Sequence, residues 1–219
     1  MSEIRTDEEQ VQALSQWWKE NGKSLILGIG LAVAAVVGWK GWQDRQAVEA
    51  ENASILYQNM VEAVISGIGP QSDEAQLATA KHLASQLKGD YESTAYAKFA
   101  ALVQARIAVD AKDYDQALTE LDWVLTHKPT PEMQVVASIR KARLLAEKGS
   151  ADEALSLLEG IKAGAFLASA EELKGDLLLA KGDKEAARSA YQKAQSATAQ
   201  GGARPLLTIK LDDLAVKEQ

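Results

Sequence analysis

Apolar and polar positions divide this chain into two regions with different patterns. Residues 24–39 read SLILGIGLAVAAVVGW, an apolar run without a charge, bounded by Lys23 and Lys40. The run is shorter than the ~20 residues usual for a membrane span, but tryptophans flank it in pairs. Trp17 and Trp18 precede it, and Trp39 and Trp42 close it. Trp18 and Trp39 lie about 32 Å apart on a helix, close to the ~30 Å of bilayer hydrocarbon. The indoles then sit at the two interfaces, with Lys23 and Lys40 snorkelling into the headgroups. The pattern predicts a transmembrane helix over 24–42 behind a tail over 1–23, with membrane lipid as a partner. A cleaved signal peptide fits poorly. The tail holds more acids than bases, and the apolar run continues past Ala32-Val33-Ala34. Arg5, Lys19 and Lys23 precede the run and Lys40 and Arg45 follow it, a bias that leans towards a cytoplasmic N-terminus.

Within the span, Gly30, Ala34 and Gly38 share one helix face at four-residue spacing. Small residues so placed let another transmembrane helix approach closely, although they are also common in such helices without that role. Ahead of the span, Thr6 and Glu9 form a candidate capping box for a helix carrying Val11, Leu14 and Trp18 on one face.

Beyond residue 43 the period becomes that of amphipathic helices. A helix over 43–66 ends at Gly67-Ile68-Gly69-Pro70, and Ser72 with Asp73 caps a second one running to about Lys88. The chain then repeats. Lys112-Asp113-Tyr114-Asp115-Gln116-Ala117, Gly149-Ser150-Ala151-Asp152-Glu153-Ala154 and Gly182-Asp183-Lys184-Glu185-Ala186-Ala187 align on their last alanine. A small residue precedes each by a fixed interval (Ala105, Ala142, Gly175), and a bulky one follows (Leu121, Leu158, Tyr191). Thr130-Pro131 caps the helix after the first unit, with proline in its first turn. This resembles the tetratricopeptide repeat, a helix-turn-helix unit of ~34 residues that buries its apolar face only by stacking. The expected fold is all-α: one N-terminal transmembrane helix, then a tetratricopeptide-like solenoid over 43–219. Its clear repeats span about 98–131, 135–166 and 168–201, and a capping helix covers 204–217 after Gly201-Gly202.

Composition narrows function more than fold. There is no cysteine and there are only two histidines, His82 and His127, which removes thiolate chemistry and multi-histidine metal sites. A formal net charge of −7 argues against nucleic-acid binding, which needs a basic surface. No nucleophile elbow, phosphate loop, H-E-x-x-H or calcium loop is found, so no enzyme, catalytic residue, metal or cofactor is expected. Function then belongs to surfaces. Tetratricopeptide arrays receive partners on the groove lined by the first helix of each pair. By that resemblance the groove comprises Phe99, Leu102, Arg106 and Val109, then Val136, Ile139, Arg143 and Glu147, then Ser169, Glu172, Asp176 and Leu179. Arg106 and Arg143 occupy equivalent positions. Together they could grip carboxylates, or pair with acids on the array itself.

The layout as a whole resembles one family. It combines an acidic tail ending in Trp17-Trp18-Lys19-Glu20-Asn21-Gly22-Lys23 with a glycine-rich span ending in Gly38-Trp39-Lys40-Gly41-Trp42. Ala53-Ser54-Ile55-Leu56-Tyr57-Gln58-Asn59 and Lys181-Gly182-Asp183-Lys184-Glu185-Ala186-Ala187-Arg188-Ser189-Ala190 follow. Over nearly its full length the chain is similar to the YfgM family of bitopic inner-membrane proteins that accompany the bacterial Sec translocon. The resemblance implies a cytoplasmic N-terminus, a periplasmic repeat domain, and contact with Sec translocon subunits and the periplasmic chaperone PpiD. Translocating client proteins are further partners it implies. The function expected from it is a membrane-anchored adaptor or co-chaperone that helps newly translocated proteins reach periplasmic chaperones. Two alternatives are a self-associating membrane scaffold and an assembly adaptor for another envelope complex.

Overall fold

A computed structural model describes residues 7–68, 73–162, 164–198 and 204–215. Thr6 of the candidate capping box, Gly69-Pro70, Ser72, Gly201-Gly202 and residues 216–217 lie outside the described residues. Among those described, every regular element is helical. They are α1 (Asp7–Gly67), α2 (Glu74–Asp90), α3 (Ala95–Asp110), α4 (Tyr114–Thr126), α5 (Pro131–Glu147), α6 (Ala151–Glu159), α7 (Leu167–Ala180), α8 (Lys184–Thr198) and α9 (Pro205–Ala215), with a 3-10 turn over Gly164–Phe166 before α7.

The chain divides into two units, residues 1–51 and 52–219. In the first, α1 is long and apolar enough to cross a bilayer. Its apolar side chains, from Ile26 through Val37 to Trp39, are exposed. A side chain in place of Gly30 or Gly38 would meet nothing within 4 Å, so no described atom covers the small-residue face. Trp18 instead folds back over Gly22, and the Trp39 and Trp42 rings lie 5.2 Å apart.

The second unit is built from antiparallel pairs: α3 with α4, α5 with α6, and α7 with α8. Each pair turns in the same way. Asp113 donates its backbone N–H to Ala108, Ser150 to Leu145 and Asp183 to Leu178, at 2.8, 2.8 and 3.0 Å. One residue earlier, Lys112, Gly149 and Gly182 adopt φ of 60°, 84° and 87°. This arrangement satisfies the orphan carbonyls of the first helix through a left-handed residue. Two of the three turns use glycine, and the first forces a lysine into a conformation that costs ~1 kcal/mol. The residue after the turn then starts the second helix. Asp113 accepts from the Gln116 N–H at 3.1 Å and Asp183 from the Ala186 N–H at 3.0 Å, whereas Ser150 makes no such bond. Thr130 caps α5 with Pro131 in its first turn, as the sequence predicts.

Packing explains the spacing of small and bulky residues. Ala105 shares a core cluster with Leu121, and Ala142 shares one with Leu158. In the third pair the bulky partner is the larger Tyr191, fully buried, and its counterpart shrinks to Gly175. A Cβ at Gly175 would stand 2.3 Å from the tyrosine ring. Burial of side chains of this size contributes ~1.5–3 kcal/mol each, so these contacts dominate the adhesion within pairs. Between pairs, lysines of a first helix reach acids on the preceding second helix: Lys141 with Asp122, Lys174 with Glu159, Lys148 with Asp115 and Lys181 with Asp152. These pairs are largely exposed and help set register more than stability. In the other direction along the chain, Lys88 of α2 reaches the buried Glu120 of α4 at 2.5 Å.

Candidate functional site

The end of α1 belongs to the array and forms one wall of its groove. Ala53 and Met60 are buried against Ala84, Leu87 and Ala100, which docks this segment on α2 and α3. The docking brings Tyr57 to 5.9 Å from the Phe99 ring and 5.5 Å from that of Tyr96. Between α1, α3 and α5 lies a cavity of about 1000 Å³. Tyr57 and Val64 line it from α1, with Ile68 just past its end; Phe99, Leu102, Val103, Arg106 and Val109 from α3; and Met133, Val136, Arg140, Arg143 and Leu144 from α5.

Six of the residues expected on the groove meet here: Phe99, Leu102, Arg106, Val109, Val136 and Arg143. Phe99 remains 38% exposed. Ile139 is a correction. It is only 4% exposed and packs among Val135, Ala142, Leu158, Ala170 and Leu173, in the core between the second and third pairs. The next residue, Arg140, takes its place in the groove. One step along a helix rotates a side chain by about 100°, so the crossing of α5 with α7 decides which neighbour faces outward. The signal was present in the polarity of the pair, isoleucine against arginine. Tyr57 also escaped the repeat pattern, because α1 precedes the first recognisable unit.

Glu147, Glu172, Asp176 and Leu179 do not line this cavity. Glu147 and Leu179 are exposed elsewhere on the array. Glu172 and Asp176 lie against α9 and its leading residue Arg204. Glu172 accepts from Arg204 at 2.8 Å and from Lys210 at 3.0 Å, and Arg204 also donates to Ser169 at 2.9 Å. Asp176 accepts from Lys210 and from the Tyr191 hydroxyl, both at 2.7 Å. Burial alone would raise the Glu172 carboxyl, but the bonds from Lys210 and Arg204 outweigh it and hold it below the ordinary value. Burial opposes the charge of Lys210 in the same way, and its two carboxylates raise it overall. The Tyr191 hydroxyl is pushed up by burial and by donating to Asp176.

The groove is electrostatically different. Arg106 donates its Nε to both oxygens of Asp110 at 2.9 Å. Among the described residues, Arg140 and Arg143 form no ion pair. Partial burial, then the charges of Arg143 and Arg106, push the Arg140 guanidinium below its ordinary value. The arrangement sets apolar side chains beside positive charge that no described acid pairs with. Among the described residues no group of histidines and acids is placed to hold a metal ion.

Comparison with known proteins agrees with this architecture. Residues 15–216 match the tetratricopeptide repeat-like domain family. A crystal structure of a tetratricopeptide repeat protein from Parabacteroides merdae superposes with a TM-score of 0.50 at 17% identity, covering 74% of this chain and 57% of the other, and so supports the fold. The ancillary SecYEG translocon subunit of Escherichia coli is 31% identical over 99% of this chain and 100% of its own length. The protein of the same description from Haemophilus influenzae is 32% identical over 89% of this chain and 91% of its own. With the apolar N-terminal helix, the helical pairs and this match along nearly the whole length, the chain belongs to the family of ancillary SecYEG translocon subunits, the YfgM family.

Proposed function

We propose that this protein is a membrane-anchored, non-catalytic adaptor of the Sec translocon. The observation that carries the reading is the open groove between α1, α3 and α5, an apolar and basic surface that no other described helix covers. The relatives described as ancillary SecYEG subunits support the choice of machine. In this reading residues 24–42 span the inner membrane, the N-terminus is cytoplasmic and the repeats lie in the periplasm. Trp17, Trp18, Trp39 and Trp42, with Lys23 and Lys40, anchor the two interfaces in lipid. Gly30, Ala34 and Gly38 provide the helix face that approaches a translocon subunit. The groove takes a chaperone such as PpiD, or the emerging client, and passes the client onward. Binding in one membrane raises the effective concentration of the second contact, so two modest interfaces suffice.

Site-specific photocrosslinking in intact membranes tests the reading. Probes at Gly30 or Ala34 should capture translocon subunits, and probes at Phe99 or Val136 should capture a periplasmic chaperone or a translocating chain. Crosslinks from the span only to a second copy of the chain would replace the adaptor with a self-associating scaffold. Crosslinks to a different envelope complex would reassign the machine. Gly30→Leu with Gly38→Leu should abolish the span's crosslinks while groove crosslinks weaken only in part.

A further inference from the structure

The groove holds positive charge that an acidic protein has left unneutralised. The chain carries a formal net charge of −7, yet Arg106, Arg140 and Arg143 line one cavity. Arg106 is paired with Asp110, while Arg140 and Arg143 form no ion pair among the described residues. Glu132 is the acid among the described lining residues, and it pairs with neither. Clustered guanidinium groups repel one another, and a ligand supplying carboxylates converts that repulsion into charge-assisted hydrogen bonds.

The array already contains one docked helix that follows this logic with the signs reversed. Asp176 on α7 is the residue equivalent to Arg106 and Arg143. There α9 seats Leu207 and Leu214 against Tyr191 and Ala194, and Lys210 reaches Asp176 at 2.7 Å. An amphipathic helix therefore covers the acidic face of the third pair, and it turns Lys210, with Arg204 just ahead of it, onto Asp176 and Glu172. The first two pairs present the complementary case, arginines interleaved with Phe99 and Val136, with no described helix over them. Interleaving suits a peptide whose apolar and charged side chains alternate in space. A lipid would call for charge at a mouth and an apolar tunnel behind it.

We propose that this groove binds an acidic, amphipathic peptide segment of a partner protein, its carboxylates on Arg140 and Arg143 and its apolar side chains on Phe99 and Val136. The assignment rests on the adaptor reading and specifies the chemistry of the partner. The test uses the full chain in nanodiscs of zwitterionic lipid, followed by fluorescence anisotropy. The probe is a labelled helical peptide of about fourteen residues, with leucines at i, i+3, i+4 and i+7 and glutamates on the flanking positions. Replacing its glutamates with glutamines should weaken binding roughly tenfold or more, and Arg140→Gln with Arg143→Gln should do the same. Both arginines are exposed and glutamine is a good helix former, so the melting profile should stay in place. Arg140→Glu with Arg143→Glu should reverse the preference in favour of a lysine-bearing version of the peptide.

Equal binding of the glutamate and glutamine peptides would overturn the proposal, as would unchanged binding by the double glutamine variant. Displacement of the peptide by phosphatidylglycerol vesicles, dependent on the same two arginines, would overturn it in favour of a lipid site. Failure of peptide binding with translocon crosslinks at Gly30 intact removes this assignment and keeps the adaptor. Loss of those crosslinks with peptide binding intact removes the adaptor and keeps the site.

Discussion

Arg106, Arg143 and Asp176 occupy the same position in three successive helical pairs, but their surroundings differ. The first two look into an open cavity beside apolar side chains, whereas Asp176 is held by Lys210 and Tyr191 beneath α9. The comparison teaches that one repeat position is neutralised internally where a helix docks over it and stays exposed where none of the described helices does. Where α9 follows, charge is neutralised internally and the face closes. Where, among the described residues, the end of α1 stands opposite, the face stays open, and there Arg143 forms no ion pair.

The strongest way to break the contrast is to remove residues 204–219. Leu207 and Leu214 are almost fully buried, so the loss should approach about 4 kcal/mol. Circular dichroism of the chain in detergent should show a melting temperature lowered by roughly 10 °C. The uncovered Glu172 and Asp176 should then accept a lysine-bearing peptide, while the first groove keeps its preference for acids.

Gly175→Ala attacks the closed face from within. The new methyl would collide with a fully buried tyrosine ring, costing about 3 kcal/mol in thermal or denaturant unfolding. Adding Tyr191→Leu should recover part of that loss, since the first two pairs already combine alanine with leucine at these positions. No recovery in the double variant would show that size matching between these two residues is not the cause.

A smaller change sharpens the open side. Lys112 sits at φ 60° where the other two turns have glycine. Lys112→Gly should stabilise the chain by about 0.5–1 kcal/mol, and Gly182→Lys should destabilise it by a similar amount. Equal melting curves for both variants would remove the argument from backbone strain.

Mild acid should have the smallest effect, and it should fall on one face only. Glu172 titrates below its unfolded value of about 4.5, so its contribution is complete above that pH and disappears as pH falls through the folded value. Lys210 is raised, so its contribution is present below about 10.5 and disappears only as pH rises through its higher folded value. Hydrogen exchange in α9 should therefore quicken below about pH 4.5, before exchange in α3 and α5 does. Simultaneous loosening of both regions would contradict an assignment to Glu172.

Much of this molecule was written in local patterns. The apolar run between paired tryptophans, the turns at Lys112, Gly149 and Gly182, and the matching of small to bulky residues follow from hydrophobicity, backbone conformation and side-chain volume. Each of these acts within a few turns of helix, so a linear reading finds them. The groove was legible only in part. Arginine at equivalent positions marked Arg106 and Arg143, but the equivalence of Asp176 hid a different environment. The exchange of Ile139 for Arg140 depended on how α5 packs against α6 and α7, which no spacing encodes.

By itself, then, the sequence determined which segments are helical, which of them suits a membrane, and that the remainder stacks as pairs. Those properties come from short-range periodicity and composition. Only the tertiary structure decided that the end of α1 forms a groove wall, that α9 neutralises the face of α7, and that Arg140 and Arg143 form no ion pair among the described residues. Such contacts join residues tens of positions apart, and they depend on how rigid helices cross and which face each one leaves uncovered.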